Sequence, residues 1–328
     1  MRRILERYAN RLWYQPEHPP GPAWRLLSGI HARIKRRQWD RPSAVPTVPV
    51  IVVGNLCAGG SGKTPVVAAL AELLVAQGSS PAIISRGYGG RSQTRPVQVH
   101  GDSDPAAVGD EPVLLADRSG VPVWVCTHRR LALAAAVEAG ADVVLSDDGL
   151  QHRALPRSYE VVVLDGQRGF GNGWLLPAGP LRQPLARLDA VDAVLVRGPC
   201  TVAGLPGEMF DLSVTALVAL SSGHRQSPDA LAGQSVDALC GIGNPQQFSA
   251  LLASLGMQVR LRAFPDHHRY RPSDIDHWPG PVVTTAKDAV KLARLDLSRA
   301  DVLVLEIEAR LPQEFEQAVL AHVREFQP

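Results

Sequence analysis

The sequence predicts an α/β protein with a doubly wound, mainly parallel sheet and a second, smaller α/β unit. Three observations carry that expectation. Short Val- and Ile-rich runs end in Gly, Ser or Asp, helical periodicity fills the intervals between them, and a Gly-rich turn joins the first run to the first long helix. A length of 328 residues is more than one ordinary core comfortably holds, so two domains are expected.

The basic beginning comes first. Residues 1–42 hold ten Lys or Arg (Arg2, Arg3, Arg7, Arg11, Arg25, Arg33, Lys35, Arg36, Arg37, Arg41) against Glu6, Glu17 and Asp40, a balance of +7 in a chain whose total is +2. Tyr8, Trp13, Tyr14, Trp24 and Trp39 lie in the same stretch. Cations paired with amphipathic aromatics are what an anionic membrane surface selects. Read as a helix, PAWRLLSGIHARIKRR (22–37) puts Trp24, Leu27, Ile30 or His31, and Ile34 along one stripe, with the cations flanking it. The competing expectation is that this stripe packs on the main domain.

The regular pattern follows. VPVIVVGN (48–55), PAIISRG (81–87), VPVWVC (121–126), DVVLSDDG (142–149), EVVVLDG (160–166) and DAVLVRG (192–198) lack polar alternation, as strands buried on both faces do. TPVVAALAELLVAQG (64–78) and HRRLALAAAVEAG (128–140) are the helix candidates between them, the first with Pro65 near its start and Gly78 past its end. The rhythm changes at FDLSVTALVAL, and a matching alternating segment, DVLVLEIEARL, lies near the C-terminus. The expected organisation is a basic surface segment at 1–42, a nucleotide-binding domain at 43–208, a two-strand linker from 209–220 and 301–311, a smaller α/β domain at 221–300 and a C-terminal helix at 312–328. In a doubly wound sheet ligands gather at the carboxyl ends of the strands, which is where the chemistry should lie.

IVVGNLCAGGSGKTPVVAAL has the strand, turn and helix of a P-loop. Cys57, Ala58, Gly59, Gly60, Ser61, Gly62, Lys63 and Thr64 would form the cradle. Backbone N–H groups would face an anion at the helix N-terminus, Lys63 would reach the β and γ phosphates, and Thr64 would offer its hydroxyl to Mg²⁺. Cys57 stands where the strict pattern wants Gly, and Gly59 and Gly60 are expected to supply the flexibility.

Acidic residues close two strands. Asp147 and Asp148 end one and Asp165 another, and each could hold Mg²⁺ or simply shape a turn. Asp110 and Glu111 in VGDEP (108–112) could cap a helix. In FPDHHRY (264–270), Asp266, His267 and His268 stand together near a Pro turn, where histidines are usually solvated.

Taken in order, GNLCAGGSGKTP, SRGYGG (85–90), VGDEP, SDDGLQHR (146–153), GFGNGWLLPAGPLRQP (169–184), FPDHHRY and TTAKDAVKL (284–292) resemble the tetraacyldisaccharide 4′-kinase family over nearly the whole chain. The resemblance implies an ATP- and Mg²⁺-dependent kinase that phosphorylates the 4′-hydroxyl of an acylated glucosamine disaccharide in lipid A biosynthesis. It implies Asp110 as catalytic base paired with His267, Lys63 as the catalytic cation, Thr64, Asp147 and Asp148 toward the metal, and Arg86, Gly87, Tyr88, Gln151 and His152 toward the substrate. It also implies a peripheral position on the cytoplasmic face of the inner membrane. Two positions depart from the family pattern: Leu150 stands where Phe is usual and Gln183 where Glu is common, and Gln183 is therefore not assigned to the metal.

Other classes fit less well. With 45% hydrophobic and 20% charged residues the chain is neither disordered nor, lacking an apolar run of about 18 residues, membrane-spanning. Cys57, Cys126, Cys200 and Cys240 are scattered as reduced thiols would be, and no secretory signal opens the chain, so a cytosolic location is expected. A membrane-anchored P-loop ATPase or GTPase switch is the alternative reading, but no Asn-Lys-x-Asp motif is present and TTAKD has the wrong spacing. Nucleic-acid binding is disfavoured by the −5 balance outside the first 42 residues, and no obligate protein partner is inferred.

Overall fold

The computed structural model describes residues 11–15, 17, 19–39, 44–275, 278, 280–297 and 301–326, with the backbone alone for 35–39. Residues 1–10 and 40–42 of the basic segment lie outside it, as do the side chains of Lys35, Arg36, Arg37 and Trp39. The Val- and Ile-rich runs form β1 (Val50–Gly54), β2 (Pro81–Ser85), β4 (Val123–Val125), β5 (Val143–Asp147), β6 (Tyr159–Asp165) and β7 (Ala193–Arg197). Every residue of β1, β2, β5 and β6 is buried, which is why these strands show no alternation.

The strands run parallel in the order β4-β2-β5-β1-β6-β7, and a short strand that periodicity did not announce, β3 (Val97–Val99), closes the edge antiparallel to β4. Helix α1 (Pro22–Trp39) precedes the sheet. Alternate residues of β1 serve the two faces. Ile51 and Val53 pack with Val66, Val67 and Leu70 of α2 (Lys63–Ala76), whereas Val50 and Val52 share a core with Ala132 and Ala136 of the helix Arg129–Glu138. Such two-faced burial makes the sheet doubly wound.

The sheet does not stop at the first lobe. β8 (Glu208–Ala219) begins parallel to β7, with Leu195 opposite Glu208, then continues antiparallel to β13 (Val302–Arg310), with Leu303 opposite Ala219 and Arg310 opposite Asp211. Beyond β13 come β12 (Val282–Thr285), β10 (Ser235–Cys240) and β11 (Gln258–Ala263), all parallel. The two alternating segments therefore lie inside one continuous sheet that runs through both lobes. A separate core of Leu217, Val236, Ala238, Phe248, Leu252 and Leu303 fills the second lobe. After β13 the chain turns back, and Phe315 and Val319 of the last helix, Gln313–Glu325, pack into the first lobe's core.

Helix α1 presents most of its stripe outward. Leu27, Ile30 and Ile34 are exposed, as is neighbouring Leu26, while Trp24 and His31 are half-buried and Ser28 is buried and donates to the Leu175 carbonyl at 2.9 Å. Leu27 thus does not pack on the domain. The helix leans instead on the loop 172–178 through its small polar face, with the Arg25 guanidinium over the Trp174 ring at 5.4 Å and Trp13 donating to the Pro177 carbonyl.

Gly54 ends β1 against the loop that follows β5. A Cβ there would stand 2.5 Å from Leu150 Cβ, and the neighbouring Leu150 backbone leaves it nowhere to go. Gly54→Ala is expected to lower stability by about 1–3 kcal/mol, the usual cost of overpacking, and urea melts of the two proteins measure it.

Candidate active site

The turn after β1 is built as an anion cradle. Gly59 (φ +119°) and Gly62 (φ +90°) adopt the left-handed conformations that glycine accommodates, and Gly60 does not, so the flexibility lies at 59 and 62 rather than at 59 and 60. The Asn55 side-chain amide donates to the Gly59 carbonyl at 3.1 Å and to Ser61 Oγ at 3.2 Å, tying the turn to the strand. Among the described residues, no protein acceptor takes the N–H groups of Gly59, Gly60, Ser61 or Gly62, and they open beside the N-terminus of α2. Free donors at a helix N-terminus suit phosphate. At position 57, where the strict pattern has Gly, an extended residue serves: Cys57 bridges to Leu181, Ala58 N–H donates to the Pro180 carbonyl at 2.8 Å, and burial pushes the Cys57 thiol up to about 12.

The structure separates the strand-end carboxylates by their partners. Asp165 pairs with Arg197 and accepts the N–H groups of Gln167 and Arg168, so it shapes the turn after β6. Asp148, held at φ +48°, faces Arg182 at 3.2 Å and Lys63 at 3.6 Å. Burial works to raise its carboxyl, but Lys63 and Arg182 overcome that and lower it. Asp147 is fully buried, and among the described residues neither of its carboxylate oxygens has a hydrogen-bond partner. Burial raises its pKa, the negative charge of Glu111 adds to the rise, and Lys63 opposes it. A buried carboxylate with two unused oxygens beside a phosphate cradle fits a divalent cation with a preference for oxygen, with Thr64 Oγ1 available on the first turn of α2. No group of three or more His, Cys, Asp or Glu able to hold a metal occurs among the described residues.

Asp110 and His267 meet across the lobes. Asp110 is the first residue of α4 (Asp110–Ser119) and only 3% exposed, and His267 comes from the loop after β11, itself at φ +59°. Nδ1 of His267 lies 3.0 Å from both Asp110 oxygens, and Lys291 Nζ lies 3.4 Å from one of them. Burial pushes the Asp110 carboxyl up, yet the His267 hydrogen bond and the charges of Lys287 and Lys291 outweigh it and hold the group at about 2. Lys287 Nζ spans Glu111 at 3.0 Å and Asp266 at 3.1 Å. His268, by contrast, stacks on Phe264 and pairs with Asp274.

The remaining expected residues divide. Arg86 is exposed, Tyr88 is 61% exposed with its ring edge-on to His267 at 4.9 Å, and Gly87 packs so tightly under the Val108 carbonyl that no side chain fits. His152 is held at about 4 by burial and by Arg129, Arg157 and Arg86, so it is neutral at pH 7. Gln151 donates instead to the Asn55 carbonyl at 2.7 Å and to Gln183 at 3.4 Å, which places it behind the phosphate loop. Gln183 is buried in that contact. Lys287, Lys291 and Arg182 escaped the sequence reading, although the i,i+4 lysines of KDAVK do mark one face of a helix.

The pattern of the family described as tetraacyldisaccharide-1-P 4′-kinase matches residues 19–324. The tetraacyldisaccharide 4′-kinase of Alkalilimnicola ehrlichii is 48% identical over 276 residues, covering 84% of this chain and 82% of that protein. The tetraacyldisaccharide 4′-kinase of Chromobacterium violaceum is 42% identical over 340 residues, covering 98% of each. Among solved structures, "apo" form LpxK from Aquifex aeolicus in complex with ATP is similar, with a TM-score of 0.73 at 28% identity, covering 91% of this chain and 98% of that one.

A carboxyl held at about 2 in the folded chain and near 4 when unfolded stabilises the fold above pH 4, by about 2 kcal/mol, and that contribution fades as pH falls from 4 toward 2. Asp110→Asn is therefore expected to cost about 2 kcal/mol at pH 6, a difference that shrinks steadily below pH 4. Urea titrations of both proteins between pH 3 and pH 6 measure it.

Proposed function

The chain belongs to the tetraacyldisaccharide-1-P 4′-kinase family, and from that premise we propose the roles its own residues take in the reaction. The enzyme transfers the γ-phosphoryl group of ATP to the 4′-hydroxyl of an acylated glucosamine disaccharide 1-phosphate in lipid A biosynthesis. The observation that carries the assignment of roles is the Asp110–His267 pair, a carboxylate of one lobe and an imidazole of the other at 3.0 Å.

The free N–H groups of residues 59–62 and the ammonium of Lys63 hold the β and γ phosphates. Thr64 and Asp147 would hold Mg²⁺, which when bound neutralises charge on the phosphates. Asp148 keeps Lys63 and Arg182 aligned at the cradle's edge. Asp110 accepts the proton of the 4′-hydroxyl, and His267 steadies its carboxylate through Nδ1–H. A weak base suffices because phosphoryl transfer passes through a loose transition state in which little proton transfer is needed early. Since the pair draws on both lobes, their approach would complete the site and keep water from the phosphoryl group. Arg86, Tyr88 and neutral His152, on the open side, are left to meet the acceptor disaccharide.

The acceptor is a lipid, and no helix among the described residues is long and apolar enough to cross a membrane. The outward stripe of Leu26, Leu27, Ile30 and Ile34, beside half-exposed Trp174 and the basic segment, supports peripheral binding to an anionic surface on the cytoplasmic face of the inner membrane.

Transfer from labelled ATP to the tetraacylated disaccharide 1-phosphate tests the roles. Lys63→Ala should leave no measurable labelled lipid in a folded protein. Asp110→Ala and His267→Ala should each lower kcat, the former by about 10²–10⁴-fold as for loss of a general base. The double variant should be little worse than the weaker single, because groups acting as a unit are not additive. Losses that multiply would mean the two act separately.

Vesicle sedimentation tests the surface. Replacing Leu27, Ile30 and Ile34 with Ser is expected to release the protein from anionic vesicles and to raise KM for vesicle-embedded acceptor several-fold, with KM for ATP unchanged. Equal sedimentation of the variant would remove α1 from membrane binding.

A further inference from the structure

We propose that Lys287 is a positioning residue for phosphoryl transfer: by occupying the Nε2 side of His267 it holds the imidazole in the Nδ1–H form that donates to Asp110, leaving Asp110 to take the hydroxyl proton. The proposal rests on the Asp110–His267 reading above. Lys287 Nζ lies 3.4 Å from His267 Nε2. An ammonium has only donors, so opposite it Nε2 accepts and Nδ1 carries the hydrogen; the Asp266 carboxylate also faces Nε2, but at 3.7 Å it stands farther off than the ammonium it pairs with. That hydrogen then points at the Asp110 carboxylate, 3.0 Å away.

The surroundings fix this arrangement. Lys287 is only 16% exposed and its ammonium is clamped by Glu111 of the first lobe and Asp266 of the second, so it has little freedom to leave. The Tyr88 ring stands edge-on to the imidazole, and a Cβ at Gly89 would lie 2.9 Å from Nδ1, so the backbone there is bare where the ring must sit. Lys291, one turn further along the same helix, Ala286–Leu292, is committed differently. It lies 2.9 Å from Asp288, a buried carboxylate that also accepts from Thr285, Tyr270 and the Gly241 N–H. Lys291 thus brings its own counter-ion to Asp110, whereas Lys287 pairs with one carboxylate of each lobe. The charged and titratable groups around Asp110 are Glu111 on its own helix, Tyr88 after β2, Asp266 and His267 after β11, and Lys287, Asp288 and Lys291 on the helix Ala286–Leu292. Of the two lysines that lower Asp110, Lys287 is the one that also touches His267 Nε2.

The test uses the full-length enzyme with Lys287→Met, Lys287→Arg and His267→Ala. Lys287→Met should lower kcat by about 10–100-fold, the scale seen when an outer partner of a functional histidine is lost. KM for ATP should hold within about twofold, because the cradle's own groups are untouched. The acid limb of kcat should move to higher pH, since Asp110 loses one of the charges that keep it ionised. Lys287→Arg, which keeps the charge, should recover part of kcat. In a His267→Ala background, Lys287→Met should cost little more; a full second loss there would mean that Lys287 acts on its own, overturning the proposal while leaving the pair intact. The ¹⁵N spectrum of the His267 ring reads the same point without turnover: the Nδ1–H form should dominate in the parent and give way in Lys287→Met. A ring spectrum that does not change overturns the proposal. Turnover retained in Asp110→Asn would overturn the reading beneath it.

Discussion

Asp110 is a carboxylate almost shut off from water, and such a group stays ionised only where partners replace the water it lost. Apart from the neighbouring Glu111 N–H, the groups that do so are His267, Lys287 and Lys291, all of them on the second lobe. The charge state of the first lobe's carboxylate therefore depends on where the second lobe stands. Moving those groups away would withdraw the hydrogen bond and the charges that hold the Asp110 carboxyl down. The same electrostatic dependence couples the geometry of the site to the placement of the whole second sheet.

The continuous sheet gives that dependence a mechanical frame. β8 belongs to both halves, parallel to β7 at its start and antiparallel to β13 afterwards, so the second lobe is an extension of the first lobe's hydrogen-bonded ladder. The pairing with β13 shifts register between Glu306 and Ile307, and Arg118 of the first lobe donates to the Ile307 carbonyl at 2.8 Å beside that irregularity. An irregular ladder bends more readily than a regular one. The last helix, Gln313–Glu325, returns its apolar face to the first core.

The phosphate side solves the opposite problem. The turn after β1 must keep its N–H groups free for phosphate, so the stiffness has to come from side chains and neighbouring loops: Asn55 from within, Gln151 from behind and the segment 180–182 from beside it. Gln183, where the family commonly has Glu, is absorbed into this support. Between the two halves of the site lies Glu111, whose charge raises Asp147 on one side and binds Lys287 on the other. Asp147 is thus raised by a neighbouring negative charge as well as by burial.

The chain's local chemistry was readable without coordinates where a physical rule acts over a few residues. Val and Ile runs made two-faced strands because burial on both sides removes the need for alternation, and GGSGKT made a cradle because its glycines and the helix start act within one turn. The outward stripe of α1 was visible as a spacing, but spacing alone could not say whether it faces solvent or core; the burial of Ser28 and its bond to Leu175 decided that. Nor could three similar strand-end aspartates be told apart in sequence, since what distinguishes them is partners from distant segments: Arg197 for Asp165, Arg182 for Asp148 and, among the described residues, no hydrogen bond to the Asp147 carboxylate. Residues 110, 267 and 287 are separated by up to 177 positions, and nothing local brings a histidine beside a proline turn into contact with a helix's first carboxylate. Only the tertiary structure, by carrying one sheet through both lobes, put His267 3.0 Å from Asp110 and 3.4 Å from Lys287.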